Sequence, residues 1–101
     1  MERHEAEFVE MCADWGELKG VVVRISRTEQ QYWQVRLAFT DIYGSFTSPP
    51  VIATNDQRKG DTPMARRSRL FEKLNHAAAH ARSQRTAQIC RRQPAAAKVR
   101  P

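Results

Sequence analysis

Two stretches of the chain have a large apolar residue at every second position, and a short polar segment, residues 28–31, separates them. The apolar positions are Val21, Val23 and Ile25 in the first stretch and Trp33, Val35, Leu37 and Phe39 in the second. A period of two places these side chains on one face of a strand, and a short polar connection joins two such strands into an antiparallel hairpin. The pattern therefore predicts a hairpin with one buried face, and it leaves Arg24, Gln34 and Arg36 exposed on the other.

A third strand is predicted directly after the hairpin, at residues 45–48. Pro49 and Pro50 follow it, and proline has no N–H to donate to a neighbouring strand. The third strand must therefore end there or lie at an edge of the sheet. Residues 51–53 are predicted to resume it after a bend.

A first helix is predicted over residues 4–16, before the hairpin. Apolar residues recur there at spacings of four and three, at Phe8, Cys12 and Trp15. The opposite side of this helix is acidic, with Glu5, Glu7, Glu10 and Asp14. Gly16 is predicted to end the helix, because glycine is the commonest residue just past a helix end.

Residues 62–92 predict one long helix with an apolar and a basic side. Thr62 is a capping residue, and Pro63 fits the first turn, where its missing N–H has no cost. The apolar side is formed by Leu70, Phe71, Leu74, Ala77, Ala78 and Ala81. The basic side is formed by Arg66, Arg69, Lys73, His76 and His80. Arg67 falls among the apolar positions and is predicted to cover the edge of the core with its alkyl stem.

This order of elements predicts an α+β fold. It consists of a helix, a three-stranded antiparallel sheet and a long C-terminal helix, with the helices on one sheet face. A chain of 101 residues accommodates one domain, which we place at residues 1–93. Residues 94–101 lack apolar periodicity and are predicted to be a disordered basic tail. The chain has neither an apolar run of the length that spans a membrane nor the apolar centre of a secretory signal, so a cytoplasmic protein without a membrane partner is predicted.

The net charge of +6 is unevenly distributed along the chain. Residues 1–50 carry five basic and eight acidic residues, whereas residues 51–101 carry twelve basic and three acidic ones. Positive charge concentrated in one half is typical of an anion-binding surface. Thirteen of the seventeen basic residues are arginine, which binds phosphate bidentately.

These features predict a small nucleic-acid-binding protein that contacts the phosphate backbone of DNA or RNA. The predicted binding residues are Arg66, Arg69 and Lys73 on the long helix, with Arg58 and Lys59 in the preceding loop. An alternative is a protein-interaction module, such as a regulator or an inhibitor of a larger assembly, that uses the acidic first helix or a sheet edge.

Two other surfaces of the chain could bind a partner, the outer face of the hairpin and the end of the long helix. Tyr32, Arg24 and Arg36 share the outer face of the hairpin and could stack the bases of a single strand, although an ordinary solvent face, with the arginines paired to Glu29 or Asp41, is favoured. Arg85 falls where the apolar side of the long helix should continue. One outcome is that the segment beyond it packs against a second copy of the chain, which would form a homodimer through the C-terminal helix.

No residues in the chain form a recognisable catalytic arrangement, so an enzyme is not predicted. His76 and His80 stand one helical turn apart, but two ligands are too few for a metal site. The two cysteines, Cys12 and Cys90, lie far apart and form no paired motif, which favours reduced thiols. No metal and no cofactor are predicted.

The predicted order of one helix, three strands and one helix resembles that of the double-stranded-RNA-binding domain. That family also has a basic cluster at the start of its second helix, where residues 66–69 carry three arginines in this chain. The first hairpin turn here, residues 27–31, lacks the glycine-proline-x-histidine loop of the family. The link from the first helix to the first strand is also shorter than usual in that family. We therefore assign no family from the sequence, because one element order serves many functions.

Overall fold

The computed structural model describes residues 3–53 and 59–92, and the side chains of residues 5–53 and 59–91. Its elements, in chain order, are α1 (Arg3–Lys19), β1 (Val22–Arg27), β2 (Trp33–Asp41), β3 (Gly44–Thr47), β4 (Val51–Ala53) and α2 (Pro63–Arg92). The predicted α+β fold is confirmed, with two helices and an antiparallel sheet. The third predicted strand is present as two short strands, β3 and β4, which is the one difference in element order.

Strand β2 is the centre of the sheet, and every other strand pairs with it in antiparallel orientation. β1 pairs along one side, with Arg24 directly opposite Arg36. β3 and β4 lie end to end along the other side, where Phe46 is opposite Phe39 and Val51 is opposite Val35. They are therefore one edge strand with an interruption.

The interruption between β3 and β4 lies at Pro49 and Pro50, as the lack of a proline N–H predicts. Ser48, just before the prolines, still hydrogen-bonds to β2, because its N–H donates to the carbonyl oxygen of Leu37 over 2.8 Å. Its hydroxyl oxygen then accepts the N–H of Leu37 over 3.0 Å. A buried serine thus satisfies both backbone groups of Leu37 beside two residues that cannot donate.

The core lies between the inner face of this sheet and the two helices. Val35 and Leu37 of β2 are completely buried, and the ring of Trp33 stacks on that of Phe8 from α1 with 4.9 Å between centroids. α2 adds Leu74, which is also completely buried. The other buried hydrophobic side chains of the helices are Met11, Cys12, Trp15, Leu70, Ala78 and Ala81. The predicted register is confirmed, because Trp33 lies in the core while Arg24 and Arg36 lie in solvent. Gln34, which the pattern predicts to be exposed with them, is half-buried.

Helix α1 ends at Lys19, so the prediction that Gly16 ends it is wrong. The residue in the left-handed conformation is Gly20, with φ of 66°. The N–H of Val21 donates to the carbonyl oxygen of Gly16 over 2.9 Å, and the N–H of Gly20 donates to that of Glu17 over 3.4 Å. These two bonds define a Schellman motif. Gly16 has another role, because a Cβ atom there would lie 2.7 Å from the carbonyl oxygen of Val21.

Helix α2 begins as predicted, with the Thr62 hydroxyl oxygen accepting the N–H of Ala65 over 3.1 Å. The helix is thirty residues long, and Ala81 is the last of its described side chains to be buried. Neither helix of the described chain is both long and apolar enough to cross a membrane.

Beyond its last buried alanine, α2 is held to the sheet by arginine. Arg82 and Arg85 lie over the rings of Phe39 and Phe46, at 5.2 and 4.9 Å from the ring centroids. Arg85 also donates two hydrogen bonds, of 3.1 and 3.2 Å, to the Asp41 carboxylate. Arg85 therefore continues the contact with the sheet instead of interrupting it. The homodimer through the C-terminal helix stays a prediction.

Two leucines give a matched test of where the core lies. Leu74→Ala should lower the free energy of unfolding by about 2–4 kcal/mol, because it opens a cavity at a fully buried site. Leu18→Ala, the same change in α1 at a residue that is 71% exposed, should alter it by less than about 0.5 kcal/mol. Chemical denaturation measures both. Equal costs would mean that α2 packs elsewhere.

The contact between Asp41 and Arg85 should make stability depend on pH. The Arg85 guanidinium hydrogen-bonds the Asp41 carboxylate and lowers its pKa. A carboxylate with a lowered folded-state pKa stabilises the fold above its unfolded pKa of about 3.9, and this contribution disappears as pH falls through the folded-state value.

Asp41→Asn is the variant that isolates this charge, because an asparagine oxygen can still accept the N–H of Tyr43 as Asp41 does over 2.8 Å. It should be less stable than the parent at pH 7, and the difference should shrink below about pH 4. Denaturation at pH 7 and pH 3 measures this. In an Arg85→Met background the pH-dependent difference should disappear, whereas its persistence there would exclude Arg85 as the cause.

Candidate nucleic-acid interface

The predicted binding residues lie on or just before the first three turns of α2, and the structure gives them different environments. Lys59 and Lys73 are exposed. Neither makes an ion pair with a carboxylate in the described part of the chain. Arg58 lies outside the described residues. Arg66 and Arg69 both have carboxylate partners, so the predicted set divides into free and paired side chains.

Arg66 joins the two helices. Its guanidinium lies 2.9 Å from the carboxylate of Glu7 on α1, and only 15% of its side chain is exposed. The adjacent Arg67 lies 3.0 Å from Asp14, also on α1. Its guanidinium is 4.6 Å from the centroid of the Phe71 ring, at the edge of the core where the sequence placed it. The acidic side of α1 thus neutralises the start of α2.

Arg69 is paired within its own segment. It donates hydrogen bonds of 3.0 and 2.5 Å to the two carboxylate oxygens of Asp61, just before α2 begins. This fork-to-fork contact is the geometry that arginine would offer to a phosphate. A nucleic-acid phosphate would therefore have to displace Asp61 in order to bind Arg69 through the same pair of N–H groups.

A row of exposed basic side chains remains along the outer side of α2. Lys73, His76 and His80 are all exposed, as the periodicity predicts. Arg91 extends the row, and the sequence reasoning missed it because it treated this residue as the helix end. The signal was its spacing, since Arg91 follows Lys73 by eighteen residues, or five helical turns. Glu72 is the one acidic residue in the helix.

The described residues contain no arrangement for metal binding or thiol chemistry. No group of three His, Cys, Asp or Glu side chains within 3–53 and 59–92 is arranged to hold a metal ion. Burial raises the pKa of the Cys12 thiol to about 12, so it stays protonated at pH 7. Trp15 donates its indole N–H to the Asn75 side-chain oxygen over 2.8 Å, which links α1 to α2.

The arginines can be sorted by what they contact. Nine have described side chains, and six of these lie against a carboxylate or an aromatic ring of the protein: Arg27, Arg66, Arg67, Arg69, Arg82 and Arg85. Of the other three, Arg91 bonds the carbonyl oxygen of Ala87 within its own helix. Arg24 and Arg36 make no such contact in the described chain. Most of the arginines with described side chains therefore contact other groups of the fold.

Comparison with known proteins identifies no family. No protein-family model matches the sequence, no curated protein matches it, and no solved structure matches it. The likeness in element order to the double-stranded-RNA-binding domain therefore stays a likeness. Function has to be inferred from the geometry and the charge of the chain itself.

The different environments of Arg66 and Lys73 lead to a stability prediction. Arg66→Ala should lower the free energy of unfolding by about 1 kcal/mol, because it removes a partly exposed ion pair between the helices. Lys73→Ala, on the same side of α2, should change it by less than about 0.5 kcal/mol.

A double-mutant cycle with Glu7→Gln measures the coupling, which should be favourable between Arg66 and Glu7 and absent between Lys73 and Glu7. If Arg66→Ala left stability unchanged, the contact with Glu7 would not contribute in solution.

Proposed function

We propose that the protein binds nucleic acid, DNA or RNA, through phosphate contacts made by the outer side of α2. The observation that supports this is the charge left on that helix once its internal contacts are satisfied. α2 has eight arginine and lysine residues and a single acid in thirty positions. Its outward row, from Lys73 through His76 and His80 to Arg91, has no carboxylate partner in the described chain.

The length of the row suits a linear polyanion. Lys73 and Arg91 are eighteen residues apart, which at the helical rise is about 27 Å. Phosphates of one strand in a duplex advance about 3.4 Å per base pair along the axis, so the row is as long as about eight base pairs. A row of this length makes several phosphate contacts possible at once, whereas a single small anion would use one or two residues.

Binding of this kind is driven by the release of counterions from the nucleic acid. Lys59 and Lys73 are available without any internal rearrangement, so we assign them the first contacts. Arg69 could join by exchanging Asp61 for a phosphate, and Arg66 would have to leave Glu7. Arg58 stays a predicted contact. Little base readout is expected, because the row consists of basic residues rather than asparagine or glutamine.

The alternative, a protein-interaction module that uses acidic α1 or a sheet edge, has less of its surface available. Glu7 and Asp14 of α1 are engaged by arginines of α2. Glu10 and Glu17 are the acids of α1 that lie exposed. This alternative becomes the preferred function if nucleic acid fails to bind.

The proposal is tested with Lys73→Gln and a matched control, Lys19→Gln. Both remove one positive charge from an exposed helical lysine, but Lys19 lies at the end of α1, outside the row. Lys73→Gln should weaken binding to a mixed-sequence duplex and reduce the slope of log affinity against log salt by about 0.9. Lys19→Gln should leave that slope unchanged.

Fluorescence anisotropy with labelled DNA and RNA duplexes from about 50 to 200 mM salt measures both slopes. No salt-dependent binding by the parent would refute the proposal. Equal effects of the two variants would show that binding follows net charge and not the row on α2.

A further inference from the structure

The outer face of the sheet is not covered by either helix. Arg24 of β1 and Arg36 of β2 lie directly opposite each other at its centre, and both are exposed. The outward positions of the four strands carry aliphatic, hydroxyl, amide and arginine side chains and no carboxylate. Two guanidinium groups thus face solvent side by side on a surface that supplies no counter-charge.

The carboxylates that could have neutralised these arginines are not used for that purpose. Asp41 is bound by Arg85 on the inner side of the sheet. Glu29, in the turn between β1 and β2, makes no ion pair in the described chain. The predicted pairing of Arg24 and Arg36 with Glu29 or Asp41 is therefore wrong.

Like charges placed directly opposite on neighbouring strands destabilise a sheet. Their Cβ atoms are about 5 Å apart in such a pair, which leaves two guanidinium forks pointing into the same region of solvent. An anion held between the two groups would turn the repulsion between them into a shared attraction. A backbone phosphate suits this position, because each of its two unesterified oxygens can accept hydrogen bonds from one guanidinium.

The surroundings of the arginine pair indicate which nucleic acid fits. Val22 lies two residues from Arg24 along β1, Ile52 is on β4, and Tyr32 directly precedes β2, four residues from Arg36. Their surfaces are 60, 46 and 49% exposed, respectively. Aromatic and aliphatic surface contacts the faces of unpaired bases, which a single strand exposes and a duplex buries in its stack. A duplex would set its phosphates against these apolar side chains.

We propose that the outer face of the sheet is a second binding surface, which takes single-stranded nucleic acid. Arg24 and Arg36 hold one backbone phosphate between them, and Tyr32 stacks with a base next to it. This inference extends the proposed function to another surface of the molecule. It does not depend on α2, so the two fail separately.

The test uses Arg24→Thr, Arg36→Thr and the double variant of the full chain. Threonine suits an exposed strand position, so the variants keep the sheet. Each single change should lower the affinity for a labelled 12-nucleotide single strand about tenfold and reduce the salt slope by about 0.7. Affinity for the matched duplex should stay unchanged, because it is assigned to α2.

Stability provides the second measurement. Because each change removes a repulsive cross-strand pair, the single variants should unfold at the same or a higher denaturant concentration than the parent at low salt. Lost binding together with retained or increased stability supports a binding role. Lost binding in a destabilised variant would overturn it, since the arginines would then be structural.

Lys73→Gln separates the two surfaces, because it should weaken duplex binding and leave single-strand binding intact. Parent-like single-strand affinity in the double arginine variant would overturn the inference while leaving the α2 proposal standing. An acidic 12-residue peptide is the competitor in a last arm. If it displaced the single strand at equal concentration, the surface would belong to an acidic protein segment instead.

Discussion

The fold depends on the inner face of β2, which every other element contacts. Val35 and Leu37 are fully buried there, and Trp33 and Phe39 extend the same row in either direction. Alternation over nine residues of one strand keeps this row continuous. Both helices pack against this row, and β2 pairs with β1 on one side and with β3 and β4 on the other. At its two ends, the row is covered by arginine side chains.

Arginine is used at the edges of this core because its planar, weakly hydrated group packs on aromatic rings while its charge stays near water. Arg27 lies 3.9 Å from the centroid of Trp33, and Arg82 and Arg85 cover the stacked pair Phe39 and Phe46. Carboxylates such as Asp41 then neutralise the guanidinium groups. A composition rich in arginine therefore does not by itself indicate phosphate binding. What matters for function is the small number of arginines that these contacts leave over.

Local patterns in the sequence predict this fold well where the cause is local. The alternation in β1 and β2 gives their register, and the Thr62 cap gives the start of α2, since each depends on residues a few positions apart. The prediction that Gly16 ends α1 failed because the residue in the left-handed conformation is Gly20. Gly16 is a glycine for another reason, since a Cβ atom there would lie too close to Val21 and Val23. What the local sequence could not show at all is contact between distant residues. The partner of Arg66 is Glu7, 59 positions away, so periodicity could place Arg66 on a side of α2 but could not show that it was already paired.

The candidate binding residues contribute differently to the stability of the fold. This difference determines how much each could gain from a bound phosphate. Arg66 and Arg69 are already paired with carboxylates of the protein. A phosphate that binds either arginine replaces one ion pair with a similar one, so the net binding free energy from that contact is small. Lys73 gains a contact where it had none. Arg24 and Arg36 go further, because two like charges directly opposite each other disfavour the folded sheet, and an anion between them would remove that cost. Such a residue destabilises the free protein and stabilises the complex. A ligand raises the stability of a protein only when it binds the folded state better than the unfolded state, and such residues provide that difference. By that criterion the sheet face, where two unpaired arginines repel each other, has more to gain from a bound phosphate than the paired Arg66 and Arg69.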